Sequence, residues 1–214
     1  MYKIVSRGVC IFVFSLSLLL NATVFKKTAF EKMVKDSDVI IKGKCIEVMS
    51  KIVPEVKDIM SVATIEVKKT LKGSLKENDK IQVIYLGGAI EKPLPLTTKV
   101  IGGVNLKKND EFYLFLKNIK KNTMHDKGAQ YLAKNNYKKF RVYSLGKGVF
   151  RIKKGKVLFA PYQKYIKKNF MMKKGLVKSK KEFTRTLIEK IKFSDKDFED
   201  FINSVQNSKN VKGK

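Results

Sequence analysis

The alternation of hydrophobic and polar positions between residues 36 and 85 predicts three consecutive β-strands. These strands are expected over residues 39–48, 61–71 and 80–86. The second strand alternates regularly, which is typical of a strand with one buried and one exposed face. Ile40, Ile46 and Val48 break strict alternation in the first strand, which is therefore expected either to be partly buried on both faces or to carry a β-bulge near Gly43. Residues 50–60, which contain Pro54 and mixed charges, are expected to form a loop.

The next part of the chain adds strands separated by polar connections. Further strands are expected over residues 111–117 and 140–145, and a hairpin over 148–152 and 156–159 around a Lys-Lys-Gly turn. Residues 87–109 form a long connection rich in glycine and proline, and connections of this length are often functional or mobile. Residues 120–137 are polar and lysine-rich and are expected to form a loop.

Helical periodicity is confined to the two ends of the chain. A short helix is expected over residues 28–37, because Thr28 and Glu31 form a capping box before an apolar face. A second capping box predicts a helix over 179–191, and a third helix is expected to begin at Ser194. The apolar face of the third helix has helical spacing and consists of Phe198, Phe201, Ile202 and Val205.

The chain is strongly basic, with a formal net charge of +28 over 214 residues. Only four of its basic residues are arginine, so the excess charge is carried by lysine. Lysine is a hydrated point charge rather than a bidentate reader, so the surface is expected to attract polyanions non-specifically. Biased composition without a functional role is the alternative. The 43% hydrophobic content excludes a disordered chain and is sufficient for a core.

Residues 1–22 have the pattern of a secretory signal peptide. Lys3 and Arg7 precede an apolar run over 9–20, and cleavage is expected near Ala22. The run is too short to be a comfortable membrane span, although retention as an uncleaved anchor stays open. We therefore expect a secreted, periplasmic or cell-envelope protein. The alternative is a protein anchored in the membrane by an uncleaved signal.

The cysteines and the single histidine offer little chemistry. Cys10 would leave with the signal, so Cys45 would be unpaired and is expected to be a small buried hydrophobe rather than a reactive thiol. The sequence has one histidine, His125, which excludes a triad or a metal site that needs two. With Asp126 it is expected to form a solvated pair in a loop.

Other candidate residues also have structural interpretations. Asp36 and Asp38 could bracket a cation, but a helix-to-strand turn is the commoner use of such residues. Glu66 is expected at the surface, and the glycine pairs of the 87–109 connection are expected in turns or flexible loop. No phosphate-binding loop, serine-hydrolase elbow or paired-cysteine zinc motif occurs. We assign no catalytic, cofactor-binding or metal-binding residue from the sequence, and expect no cofactor.

Basic and aromatic residues interleave over residues 131–141 and 162–174. A single-strand-binding OB barrel combines aromatic platforms with a basic groove. The same alternation is typical of a half-buried strand, which we favour. Export also makes nucleic acid an unlikely partner.

Three segments carry a resemblance to a known family. The matching residues are Ser37, Asp38, Val39, Ile40, Gly43 and Val48, then Thr64, Ile65, Glu66, Val67, Leu71, Lys72 and Gly73, and finally 110–116. The chain resembles a family of uncharacterised secreted bacterial proteins over roughly residues 28–159. More distantly it resembles the netrin-like module of tissue inhibitors of metalloproteinases, which is an OB-type barrel.

The resemblance implies a mainly β (α+β) fold, namely a five- to seven-stranded antiparallel OB/netrin-like barrel with a short N-terminal helix and C-terminal helices. The expected divisions are 1–22 signal peptide, 23–160 barrel domain, 161–206 helical appendage and 207–214 basic tail. The inhibitors depend on disulfides and an N-terminal cysteine, which unpaired Cys45 cannot supply. Protease inhibition therefore cannot be transferred residue by residue.

The functional expectation is a non-catalytic extracytoplasmic module that binds an unknown protein partner or an anionic envelope polymer. Transient contact with a membrane surface is a further possibility. The alternatives are a protease-inhibitor-like module and an enzyme with an unrecognised site.

Overall fold

The structure is a computed structural model that describes residues 30–90, 95–134, 136–160, 163, 167 and 193–207. The predicted signal peptide, the Thr28 end of the first capping box, most of 161–178 and the helix predicted over 179–191 lie outside the described residues. So does the basic tail after Asn207.

The fold is mainly β, with three described α-helices. The strands are β1 Val39–Val53, β2 Asp58–Lys72, β3 Lys80–Leu86, β4 Gly88–Ile90, β5 Leu96–Thr98, β6 Glu111–Asn118, β7 Lys138–Val142, β8 Val149–Lys153, β9 Lys156–Leu158 and β10 Phe193–Ser194. The helices are α1 Phe30–Asp36, α2 Met124–Leu132 and α3 Asp195–Asn207, and a short 3₁₀ helix spans Leu145–Gly148. The mainly β class, the short N-terminal helix and a C-terminal helix are confirmed.

Successive pairings lead from β1 back to β1. The order in the eight-stranded sheet is β1-β2-β3-β7-β6-β8-β9-β10, and β6 pairs with β1 as well. The pairing of β3 with β7 is parallel, whereas the other described pairings are antiparallel. The predicted all-antiparallel arrangement is therefore wrong at this one ladder.

The described residues contain more strands than the five to seven predicted. The connection over 87–109 contributes β4 and β5, which form a separate two-stranded sheet. The two-residue β10 pairs with β9 and is a further addition. These strands are only two or three residues long, too short to give a period in the sequence.

The loop predicted over residues 50–60 is wrong, because β1 and β2 continue as one long hairpin. The ladder extends from Ser50 opposite Ser61 to Val53 opposite Asp58, and only four residues form the turn. Val53 and Met60 are fully buried beneath α2, so tertiary packing holds the strands together where their sequence is mixed. The predicted bulge is confirmed by a register shift between Lys42 and Gly43.

The loop predicted over residues 120–137 is also wrong, because it contains α2. Thr123 caps this helix, and its hydroxyl accepts a hydrogen bond from Asp126 N at 3.3 Å. The buried face of α2 consists of Gly128, Ala129 and Leu132. Glycine has no side chain and alanine has only a methyl group, so the sequence of α2 shows little hydrophobic periodicity. Because α2 covers the outer face of β2, both faces of the first half of that strand are buried. The prediction that this strand has one exposed face was therefore wrong for its first half.

Two further cores lie on opposite faces of the sheet. The face turned away from the helices buries alternate residues of the three predicted strands, including Ile81, Val83 and Tyr85 as expected. The other face packs against α1 and α3 through an aromatic cluster centred on Phe30. The rings that surround Phe30, with their centroid distances, are Phe115 at 5.5 Å, Phe150 at 6.0 Å, Phe198 at 5.6 Å and Phe201 at 5.0 Å.

The last helix is therefore packed on the same core as the sheet. Its four predicted apolar residues are all buried, which confirms the face read from the sequence. The predicted domain boundary between residues 160 and 161 stays a prediction. Helix α3 shares one hydrophobic cluster with residues that precede this boundary, such as Phe30 and Phe150, and with Phe193, which follows it.

A polar network also fastens α3 to the sheet. The Tyr113 hydroxyl lies 2.5 Å from Asp195 Oδ1 and 2.9 Å from Glu199 Oε1. Lys42 pairs with the Asp195 carboxylate, and Lys69 Nζ lies 2.6 Å from Glu199 Oε2. Burial, reinforced by the two acceptor carboxylates, raises the pKa of Tyr113 well above its ordinary value.

We expect Phe198→Ala to lower the free energy of unfolding by about 3–5 kcal/mol, because it removes a fully buried ring from the aromatic cluster. Urea denaturation followed by circular dichroism measures the effect. Tyr131→Ala removes an aromatic ring that is 50% exposed and should change stability by about 0.5 kcal/mol or less. Equal effects of the two variants would contradict a structural role for the cluster.

Candidate functional site

A large cleft in the described part of the chain has a volume of about 1020 Å³. It lies between the β4–β5 sheet, the connection over 99–106 and the adjoining ends of β1, β2 and β3. Phe112 of β6 and Arg151 of β8 complete its wall. The glycines of the 87–109 connection line this cleft, so the expectation that they are simply turn residues missed their location.

The first wall of the cleft is held by hydroxyl groups. Ser50 Oγ and Ser61 Oγ lie 2.7 Å apart, and the Ser61 hydroxyl donates to the Gly87 carbonyl at 2.6 Å. A side chain at Gly88 would overlap both serine hydroxyls, and its φ of +144° suits glycine. Burial raises the pKa of Tyr85, beside them, to about 12, so its phenol is neutral at physiological pH.

The second wall is attached to the start of β2. Thr98 Oγ1 donates to Asp58 Oδ1 at 3.0 Å, and Ile59 N donates to the same oxygen at 2.6 Å. The β4–β5 sheet is thus anchored at Gly87, directly before β4, and at Thr98 at the end of β5, so this wall of the cleft is preformed.

The cleft is nearly uncharged despite the basic composition of the chain. Lys99 and Arg151 are the only charged residues among those that line it in the described part of the chain. Arg151 Nη2 lies 3.1 Å from Asp110 Oδ2, and its guanidinium lies 5.7 Å from the centre of the Phe112 ring. No carboxylate, imidazole or thiol lines the described cleft, so its serine hydroxyls have no neighbouring general base there.

A second, smaller cavity of about 180 Å³ lies on the other side of residues 100–104. It is lined by His125, Arg141 and Ser144, together with Tyr85 and apolar residues shared with the large cleft. His125 belongs to α2 and was wrongly expected in a solvated loop. Burial, followed by repulsion from Arg141, lowers the pKa of His125.

His125 does not form the expected pair with Asp126. The Asp126 carboxylate accepts instead from Asn122 N at 2.9 Å and from Gln130 Nε2 at 3.2 Å. It therefore organises the first turn of α2, and the imidazole is left facing the small cavity.

The acidic candidates are distributed over the surface as ion pairs. Asp36 lies 2.8 Å from Lys32 and accepts from the Tyr143 hydroxyl at 3.1 Å, and Glu66 lies 2.5 Å from Lys68. None of them lines either cavity. The described residues contain no group of three or more histidine, cysteine or acidic side chains suited to a metal ion.

Asp38 fastens the start of β1 to the end of β6. Its Oδ1 lies 2.8 Å from Lys117 Nζ, and its Oδ2 accepts from Asn118 N at 2.8 Å. Partial burial opposes ionisation, but the hydrogen bonds from Lys117 and Asn118 outweigh it and lower the Asp38 pKa. This confirms a structural use of Asp38 in the helix-to-strand turn.

Cys45 is fully buried, as expected, and its thiol contacts the Glu47 carbonyl at 3.5 Å. Burial raises its pKa to about 11. In the interleaved segment over 131–141, Phe140 is buried in the core while Tyr131 is half exposed on α2, so these rings do not form one platform.

No protein-family model matches the chain, and no curated protein matches it. The resemblance to the netrin-like module therefore stays a prediction. Among the described residues, no helix has both the length and the apolar character needed to cross a bilayer.

We expect the stabilising effect of the Asp38 carboxylate to disappear in acid. Because its folded pKa is lowered, the stabilisation is present above the unfolded value near 3.8 and is lost as the pH falls through the folded pKa. The free energies of unfolding of wild type and Asp38→Asn in urea should differ near neutral pH, and the difference should shrink as the pH falls below 3.8. A difference that does not change with pH would contradict the assignment.

We also expect the Cys45 thiol to react slowly with a disulfide reagent in the folded protein. In a Cys10→Ser background, a pKa of about 11 rather than 9.0 leaves about 100-fold less thiolate near neutral pH. Absorbance of the released thiol should rise at least about 100-fold faster in urea than in buffer. Equal rates would identify a reactive, accessible thiol.

Proposed function

We propose that this chain is an extracytoplasmic, non-catalytic binding module whose large cleft binds an extended segment of a partner protein. The observation that carries the proposal is the nearly neutral lining of the cleft in a chain of net charge +28. Electrostatic attraction to a polyanion would require several free basic groups, whereas the cleft offers Lys99 and an Arg151 already beside Asp110.

The β4–β5 sheet suits recognition of an extended chain. Within the described residues, these two strands pair only with each other, so each has one edge without a strand partner. A peptide that adds to such an edge gains main-chain hydrogen bonds, while neighbouring apolar pockets select its side chains. Ile90 and Val100 supply apolar surface beside that edge.

We further propose that β1, β2, β3, β7 and β6 form an OB-type barrel of the netrin-like kind. The succession of pairings that returns from β6 to β1 supports this interpretation. OB-type barrels bind ligands through loops and strands at one side of the barrel, which is compatible with the cleft. The N-terminal signal pattern supports an extracytoplasmic location.

The proposal is tested with Ala89→Trp, which places a large ring at an exposed position of the cleft wall. Gln130→Trp is the matched control, because Gln130 is exposed on α2 and lines neither cavity. Peptides selected from a random library on the wild-type protein are measured by fluorescence anisotropy. Ala89→Trp should weaken their binding at least about tenfold and Gln130→Trp should not.

Salt separates this proposal from binding of an anionic envelope polymer. Peptide binding in the cleft should change by less than about threefold between about 50 and 200 mM salt. A polymer held by several lysines would lose about 10³-fold or more over the same range. Steep salt dependence, or equal binding by Ala89→Trp and wild type, would overturn the proposal.

A further inference from the structure

The small cavity beside residues 100–104 is positively charged and has no acidic residue in its described lining. Arg141 reaches it from β7 and His125 from α2, the helix that precedes β7 in the chain. Tyr85 also lines it, and because burial raises the pKa of this tyrosine to about 12 it contributes no negative charge. The cavity therefore carries the Arg141 charge at any ordinary pH and gains a second positive charge when His125 is protonated.

Arg141 has no carboxylate within ion-pair distance among the described residues. Its cross-strand neighbour on β6 is Lys117, whose own charge is already balanced by Asp38. Arg151, by contrast, has Asp110 at 3.1 Å. A partly buried guanidinium beside an imidazole, with no compensating anion nearby, is expected to attract one from solution.

The turn that completes the cavity has unusual backbone geometry. Ser144 and Leu145 both have positive φ values, 50° and 58°, although neither is glycine. The Ser144 side chain makes no capping hydrogen bond to the 3₁₀ helix that follows it. Gly146 N donates to Gly102 O at 2.9 Å and holds this turn against the 100–104 segment. Backbone of this kind is concentrated at ligand-binding sites, and the Ser144 hydroxyl is available as a further donor.

We propose that the small cavity binds a small oxyanion, a phosphate group or a carboxylate, between Arg141 and His125, with Ser144 as a further hydrogen-bond donor. Arg141 supplies a bidentate contact, and the imidazolium of His125 supplies a second charge. Protonation of His125 and anion binding favour each other, so affinity increases as the pH falls through the His125 pKa, and a bound anion raises that pKa.

This site does not depend on the proposed peptide-binding function. The two cavities share the wall formed by residues 100–104, but neither Ala89 nor the β4–β5 edge lines the small one. Failure of one proposal therefore leaves the other intact.

The single histidine of the chain makes the test direct. The imidazole carbon-bound proton resonance of His125 is followed by NMR from about pH 5 to about pH 8 in chloride, at constant ionic strength. The titration is repeated with inorganic sulfate, whose charge is constant over this range, and with acetate. Sulfate represents a phosphate group and acetate a carboxylate.

We expect the His125 pKa to lie below 6.5 in chloride and to rise by at least about 0.5 unit, saturably, with at least one oxyanion. A response to sulfate alone identifies a phosphate-type ligand, and a response to acetate alone identifies a carboxylate. Identical titrations in chloride, sulfate and acetate would overturn the proposal.

Arg141→Gln and Lys139→Gln form a matched pair. Both remove one positive charge from β7, and only Arg141 lines the cavity. Arg141→Gln should raise the His125 pKa in chloride, because it removes repulsion, and should abolish the response to oxyanions. Lys139→Gln should keep that response. An oxyanion response that survives Arg141→Gln would contradict the site, and the wild-type comparison stands even if that variant folds poorly.

Discussion

The fold depends on β1 pairing along both of its edges at once. Over Ile40 to Lys44 it pairs with β6 on one side while pairing with β2 on the other. Glycine is required at position 43 of this doubly paired segment, because a Cβ there would lie 2.6 Å from Ile65 Cγ2. The bulge lets β1 continue past the point where β6 ends, and its second half carries the hairpin that reaches the cleft. The same strand, β1, therefore joins the eight-stranded sheet to the wall of the large cleft.

Sequence patterns predicted those elements whose hydrophobic residues repeat without interruption. The bounds of β3 match its prediction, and the Lys154-Gly155 turn has the two positive φ values expected of a tight hairpin. The buried faces of α1 and α3 were also predictable, since large apolar residues recur there at helical spacing. In each case the pattern lies within one segment, so it predicts the element without knowledge of the segments that pack against it.

The remaining features depend on contacts between distant segments. The helix α2 buries a glycine and an alanine because Met60 and Ile84 occupy the space beside them. This contact cannot be predicted from the sequence of the helix alone. The parallel ladder of β3 and β7 results from the path of the chain through β6 and α2. The two cavities could not be predicted from local patterns either, since Arg141 and His125 line one cavity only after the consecutive elements α2 and β7 have packed. The glycine-rich connection alone pointed toward the large cleft.

The aromatic cluster around Phe30 has a consequence for how the chain is made. Phe30 belongs to the first described helix, while Phe198 and Phe201 belong to the last. The core on this face therefore remains open to water until α3 has been synthesised and has docked, and such non-local contacts form slowly. Until α3 docks, Phe30 lacks its contacts with Phe198 and Phe201, so this core is the last of the three to be completed during synthesis.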